Sequence, residues 1–316
     1  MSHTDAPLTF GPQFDVAARS ATGSGPRQRS ENQDNVVLVD AAGNAVCLAG
    51  GTTLRSTLTH WPPGHLRLAV LDGMGGHGHG REAAEAAARG LLAMPACADL
   101  ASLSAQLEEL PAQLQRRFAP LAGPRPGTTL TLLELPPQGA PLLWHVGDSR
   151  LYEIDEGVRA LTVDHVPATA LALAGLLDEE QWQDEVHRAH APQIAQAFIL
   201  GNTFVDPSRL DDALFALTPE RLPPWLRALP DRRALALRPG AAYLLASDGF
   251  WSCLDPAEFV ARWPRLFAGA SAGACVDALF AEIAERPPIG LQPDNLTAIV
   301  LRPLARRDET ALPSKN

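Results

Sequence analysis

Four aspartates stand at the ends of apolar runs, beside small or turn-forming residues. Asp72 follows LRLAVL and precedes GMGG, Asp148 follows LLWHVG, Asp248 follows YLLAS and precedes Gly249, and Asp294-Asn295 directly precedes LTAIVL. Each apolar run predicts a β-strand, which fixes the position of its end, while the adjoining turn exposes the carboxylate and leaves backbone carbonyls free. Carboxylates gathered in one place repel one another unless cations neutralise them. Hard divalent ions such as Mg²⁺ and Mn²⁺ take an all-oxygen ligand set of this kind. A single Asp beside Gly is ordinarily a turn residue, and spacing along the chain does not bring four of them together. Metal ligands and turn residues therefore stand as two readings of the same pattern.

A third reading is contained in residues 73–78, Gly73-Met74-Gly75-Gly76-His77-Gly78, which satisfy GxGxxG. In a dinucleotide fold the glycines bring helix amides to the pyrophosphate, and an acidic residue about 20 positions on, at the end of the next strand, takes the ribose. Asp99 has that spacing, but it follows Met94-Pro95 with no strand predicted between. Asp72 would also set its charge against an incoming pyrophosphate. The pattern fails by its own mechanics. His77 and His79 are softer ligands than an oxygen-rich site prefers, and local hydrogen bonding near the start of the next helix is the role expected of them.

The elements that must hold these residues follow from periodicity. Strands are expected at 14–18, 35–38, 66–71, 128–135, 142–146, 151–154, 242–246 and 296–301. Helices are expected at 81–94, stopped by Pro95, and at 100–118, where Leu103, Leu107, Leu110 and Leu114 form one stripe that Pro111 can kink. Further helices are expected at 256–263 and 272–285, with helical or irregular chain at 168–197. Residues 43–64 carry glycines and a Pro-Pro pair and read as an irregular excursion, and the proline-rich 219–239 as a loop or surface insertion. The pattern shows no repeat and no clean linker, which favours one domain over 10–304 with flexible termini at 1–9 and 305–316.

Composition narrows the class. The 316 residues are 46% hydrophobic and 20% charged, as in an ordinary globular chain. Twenty-six basic against 36 acidic residues give a net charge of -10, which disfavours nucleic acid as a partner. Lys315 is the only lysine, a bias that points to a bacterial genome. Cys47, Cys97, Cys253 and Cys275 form no CxxC pair and read as core thiols. The first twenty residues lack a basic start followed by an apolar run, and no segment reaches the ~20 apolar residues of a membrane span. A cytoplasmic protein without a membrane partner is expected.

Six motifs occur in order: Arg29-Ser30-Glu31-Asn32-Gln33-Asp34, Asp72-Gly73-Met74-Gly75-Gly76, Gly127-Thr128-Thr129, Gly147-Asp148-Ser149-Arg150, Ser247-Asp248-Gly249 and Asp294-Asn295-Leu296-Thr297. Together they resemble the metal-dependent serine/threonine protein phosphatases, the PPM or type 2C family, with Asp164-His165 and Leu200-Gly201 as weaker landmarks. The resemblance implies an α/β fold, a central β-sandwich of two mainly antiparallel sheets with helices on both faces, and a binuclear Mn²⁺ or Mg²⁺ centre at one edge. It implies that Asp72 bridges the two ions, that Gly73 adds its backbone carbonyl, and that Asp248 and Asp294 bind the other face of the pair. Asp148, with Asp248, corresponds to the carboxylates that hold a weaker third ion in bacterial members. Arg29 would grip the substrate phosphate, and Asp34, with Gln33 and Asn295, would support the ligands from behind or through water.

The chain departs from the family at two places. Gln33 stands where Glu is frequent, and a neutral amide can hydrogen-bond metal-bound water but supplies no charge. Met74 stands where many eukaryotic members carry a His proposed as general acid, a change common in bacterial relatives. Trp144 and Trp251 are expected in the core or a pocket wall, and His165 in a structural role. The activity implied is hydrolysis of phosphoserine and phosphothreonine in proteins by activated water, without a covalent intermediate, by a monomer that opposes a bacterial Ser/Thr kinase. The alternatives are a weakly catalytic regulatory module and a phosphatase for small phosphorylated molecules, because specificity lies in variable loops such as 43–64, 166–198 and 219–239.

Overall fold

The structure, a computed structural model, describes residues 7–23, 28–74, 79–118, 120, 126–186, 194–202 and 213–305. The first half runs through β1 (Phe14–Ala21), β2 (Asn35–Val39), β3 (Asn44–Ala49), β4 (Thr52–Thr57), β5 (Leu66–Leu71) and the short β6 (Gly73–Met74), then helices α1 (Gly80–Ala93) and α2 (Leu100–Phe118). Next come β7 (Gly127–Thr128), β8 (Leu130–Leu135), β9 (Leu142–Val146), β10 (Arg150–Ile154) and β11 (Val158–Ala160). Helices α3 (Pro167–Leu173) and α4 (Glu179–Val186) and the short strands β12 (Gln196–Ala197), β13 (Gly201–Asn202) and β14 (Arg232–Ala234) follow. The chain ends through β15 (Ala242–Ala246), α5 (Pro256–Val260), α6 (Trp263–Phe267), α7 (Ala272–Glu285) and β16 (Leu296–Pro303).

Two antiparallel sheets form the centre, one ordered β14-β9-β8-β5-β2-β3-β4 and the other β1-β16-β15-β10-β11. Strand β5 shows why they stack. Leu66, Leu68 and Val70 point between the sheets, against Leu245, Ile299 and Leu301, while Ala69 and Leu71 point outward to α1 and α2. A strand buried on both faces reads as a continuous apolar run, which LRLAVL is, apart from Arg67. On the far side, α7 packs Cys275, Val276 and Leu279 against Leu244, Ala298 and Val300 of the second sheet. The layers are helix, sheet, sheet, helix, as expected from the ordered motifs.

Arg67 is fully buried and bidentate to Glu134 on β8, at 2.7 and 2.8 Å. Its Nη atoms also donate to the carbonyls of Met94 and Pro95, at 3.2 and 2.8 Å. The arginine thereby satisfies backbone acceptors left over at the end of α1, and the pair fixes that helix on the sheet.

Local differences from the periodicity have local reasons. Residues 43–64 are not irregular but contain the β3–β4 hairpin, in which Ala49 pairs with Thr52. Its Gly50-Gly51 turn has φ of 58° and 73°, the both-positive geometry that two-residue hairpins require. Within 219–239, Arg232–Ala234 adds β14 to the edge of the large sheet, and Leu222 and Leu226 are buried with Val163 and Leu217. The helix expected over 256–263 is two helices, because Pro264 is tolerated only in a first turn and α6 starts at Trp263. Helix α2 continues through Pro111.

The four cysteines are free and buried, and Trp144 and Trp251 are core residues. Thr9, expected in a flexible terminus, is held by its N–H to Asp40 Oδ2 at 2.9 Å, whereas residues 1–6 and 306–316 lie outside the described residues. No helix among the described residues is long and apolar enough to cross a membrane.

Candidate functional site

Register decides where the aspartates go. In the seven-stranded sheet Asn35 pairs with Leu71, so Asp34, just before β2, and Asp72, just after β5, leave the same edge. In the five-stranded sheet Arg150 pairs with Ala246 and Ala246 with Ala298. That register puts Asp148, Asp248 and Asp294 at one edge as well. A cross-sheet contact joins the two edges: Ser247 Oγ donates to Asp34 Oδ2 at 2.8 Å and accepts the Thr297 N–H at 3.0 Å.

Electrostatics follow from this convergence. Burial first, then the charges of Asp34, Asp248, Asp294 and Asp148, push the Asp72 carboxyl far above the ordinary carboxylate range. Burial also pushes Asp34 up to about 7, with Asp294 and Asp248 adding to it against hydrogen bonds from Thr297 and Ser247. Asp294 is pushed up to about 6 by burial and Asp248, with Arg29 opposing. Asp148 is raised well above its usual value by burial, then by Asp248 and Asp164. Four carboxyls raised by burial and by neighbouring aspartates, gathered with Asp248, form a site built for positive charge.

The donor set fits hard divalent cations. It is all oxygen, and Asp148 Oδ1 is buried without a hydrogen-bond partner among the described residues. At Gly73 a Cβ would stand 2.3 Å from the Gln33 carbonyl and 2.4 Å from that of Gly80. Only glycine lets the backbone run this close beside Asp72. The side chains are gathered but not closed on one point: among the described residues no three His, Cys, Asp or Glu side chains form a finished ligand group.

The surroundings hold the carboxylates by hydrogen bonds. Asp72 N–H donates to Thr129 Oγ1 at 2.9 Å, and Thr129 N–H returns to the Asp72 carbonyl at 2.8 Å. Thr129 Oγ1 also meets Ser149 Oγ at 2.7 Å. Ser252 Oγ donates to Asp248 Oδ2 at 2.9 Å. Asn295 ties the first motif to the last, accepting the Gln33 N–H at 2.8 Å and donating to the Glu31 carbonyl at 2.9 Å. Gln33 Nε2 donates to Glu31 Oε1 at 2.8 Å. Arg29 is exposed at the rim, 3.1 Å from Asp294 Oδ1.

Sequence reasoning singled out the carboxylates, Arg29 and, as supports, Gln33 and Asn295, but not the hydroxyls of Ser247 and Thr129. Ser247 and Thr129 lay inside quoted motifs, yet a hydroxyl's partner is set by register across the sheets. Arg150, in the fourth motif, does not face the cluster as a free cation. It is buried and bidentate to Asp164, at 2.9 and 2.7 Å, which accounts for the Asp164 landmark. His165 is fully buried, and burial pushes its pKa well below the ordinary value. It accepts the Gly147 N–H at 3.3 Å, a structural position. His79 precedes α1, and its carbonyl, not its side chain, accepts at the helix start. His77 lies outside the described residues.

No family model matches the sequence, and no curated protein sequence does. Solved structures do. The S. agalactiae serine/threonine phosphatase is 19% identical with a TM-score of 0.63, over 92% of this chain and 99% of that one. The PPM Ser-Thr phosphatase MsPP from Mycobacterium smegmatis, in complex with cacodylate, is 24% identical with a TM-score of 0.59, over 92% and 98%. The catalytic domain of the serine/threonine protein phosphatase PstP, in complex with two manganese ions, is 24% identical with a TM-score of 0.59, over 93% and 99%. The sandwich, its flanking helices and its coverage by these structures together show that the chain has the fold of the bacterial PPM serine/threonine phosphatases.

Proposed function

We propose that residues 10–304 form a divalent-metal-dependent phosphatase that hydrolyses phosphoserine and phosphothreonine in proteins. The observation that carries this reading is the convergence of Asp34, Asp72, Asp148, Asp248 and Asp294 beside an exposed Arg29. When bound there, Mn²⁺ or Mg²⁺ supplies water activation at neutral pH and charge neutralisation of the phosphoryl oxygens. Asp72 holds the centre of the cluster, with the Gly73 carbonyl beside it, and Asp248 and Asp294 face it from the second sheet. Asp148 completes the cluster next to Asp248, as the residue suited to a weaker third ion.

Arg29 offers a planar fork to the substrate phosphate. Asp34, fixed by Ser247, orients groups at the floor of the site. No thiol nucleophile is available: the cysteines are buried, and burial raises the pKa of Cys47, Cys97, Cys253 and Cys275. In this reading, as the family resemblance implies, activated water is the attacking group, no phosphoenzyme forms, and the products are inorganic phosphate and a free hydroxyl. The enzyme would act as a cytoplasmic monomer on targets of a bacterial Ser/Thr kinase.

One observation favours a second reading, a binding module of this fold without turnover. Gln33 stands where a carboxylate is frequent, and its amide is committed to Glu31. Phosphate release from a phosphoserine peptide with Mn²⁺, with Mg²⁺ and with excess chelator separates the two. The phosphatase reading requires release that the chelator abolishes, and equal release after verified metal removal would exclude the mechanism.

A further inference from the structure

Beside the aspartate cluster lies a groove of about 970 Å³. It follows β11, the edge strand of the five-stranded sheet, and is walled by α4, the chain around Trp225 and the start of α5. Its near end is Arg150, on the chain just after Asp148, and Leu254, on the loop that continues from Asp248. Trp182 and Trp225 are half-buried in its walls, and Leu254 is 61% exposed.

Charge on this groove has one sign. Glu156, Glu179, Asp184 and Asp255 stand exposed on its rim. Among the described lining residues the one cation is Arg150, whose charge is taken up by Asp164. Indole walls below a carboxylate rim suit a long cationic side chain, which lays its methylene stem on the rings and its head group at the acids. The same rim repels nucleic acid and anionic lipid.

We propose that this groove binds an arginine- or lysine-bearing stretch of the phosphorylated polypeptide on which the aspartate cluster acts. The identity of that polypeptide as a substrate rests on the phosphatase reading, whereas the groove's preference for cationic side chains rests on its own charge and walls. The enzyme would then prefer phosphosites with basic residues nearby over neutral ones.

The test uses the full chain and two kinds of readout. Fluorescence anisotropy compares dye-labelled, unphosphorylated peptides that differ only in carrying arginine or glutamine. Steady-state kinetics then compare the matching phosphoserine peptides. The arginine peptides should bind more tightly, and the preference should weaken with salt. A Glu179→Gln/Asp184→Asn variant should lose about fivefold in that preference, the scale of one or two exposed ion pairs, and the loss should fall on KM rather than kcat. Equal binding of the two peptides, or an unchanged preference in the variant, overturns the proposal. A dimer in sedimentation that the same substitutions dissociate would give the groove to a second copy of the chain and also overturn it. Failure of the phosphatase reading is distinguishable: no phosphopeptide would be hydrolysed, while anisotropy would still report on the groove.

Discussion

Arg29 and Asp294 are tethered to each other: Nη2 of the arginine lies 3.1 Å from Oδ1 of the aspartate, and its Nε donates to the adjacent Pro293 carbonyl at 2.7 Å. The candidate phosphate clamp thus rests on a candidate metal ligand. Lysine would keep the charge but lose the planar fork, so it is not a conservative replacement there. Arg29→Lys should weaken phosphopeptide turnover, and Arg29→Ala should weaken it further, by about tenfold or more if a charge-assisted hydrogen bond of roughly 1.5–3 kcal/mol is lost. Arg19, which pairs with Asp277 on the surface, is the control and should tolerate alanine. Wild-type kcat/KM in Arg29→Ala would remove the clamp assignment.

Asp72 feels the charge of four other aspartates, so its replacement changes the whole cluster. Asp72→Asn and Asp248→Asn should each abolish most turnover and weaken metal binding, while circular dichroism shows the fold retained. Asp148→Asn should leave the tightest binding nearly intact and lower turnover. Calorimetric titration with Mn²⁺ checks the ranking. Unchanged tight binding in Asp72→Asn would defeat its place as the bridging residue.

The same cluster sets a pH dependence for the metal-free protein. Asp34 is pushed up to about 7 and Asp294 up to about 6 in the folded state, whereas both ionise near 4 once unfolded. Folded-state values above the unfolded ones mean that the folded protein binds more protons in this window. Stability therefore falls as pH rises from about 4 to about 7. This is the reverse of a carboxylate held in an ion pair. Thermal melts in chelator should show Tm dropping over that range, and Mn²⁺ should restore it most at the upper end. A metal-free Tm that climbs steadily from pH 5 to 7.5, with Asp34→Asn behaving alike, would contradict the assignment.

What the sequence made legible was tied to strand ends. LRLAVL and YLLA are buried strands whose ends carry Asp72 and Asp248 because a residue's place along a strand is fixed by period and turn chemistry alone. Partners across the sandwich were not legible. Ser247 and Asp34 are far apart in the chain, and only the stacking of two sheets brings a hydroxyl in one motif to a carboxylate in another. Arg67 is a charge inside an apolar strand, and its meaning depends on Glu134 and on the end of α1. The Gly50-Gly51 turn does not stand out from an irregular loop in the sequence, because glycine marks both a loose loop and a tight hairpin, and the flanking pattern TTLRST is only partly apolar.

Thr129 offers the narrowest test of how the site is held. It binds both backbone polar groups of Asp72, and its hydroxyl reaches Ser149, the neighbour of Asp148. One side chain thus links the segments carrying two of the aspartates. Gly147 lies against it: with φ of 104°, a Cβ there would stand 2.6 Å from the Thr129 γ-methyl. Thr129→Val keeps that methyl and the volume but removes the hydroxyl, leaving the Asp72 N–H and the Ser149 hydroxyl without this partner. The cost should be about 1–3 kcal/mol of stability for an unsatisfied buried group. If the hydroxyl positions Asp72, Mn²⁺ affinity should fall together with kcat, and Thr129→Ser should restore both more fully than it restores stability, because serine returns the hydroxyl but lacks the methyl that packs on Gly147. If Thr129→Val melts at a lower temperature yet binds Mn²⁺ and turns over like the wild type, the hydroxyl serves packing and stability alone.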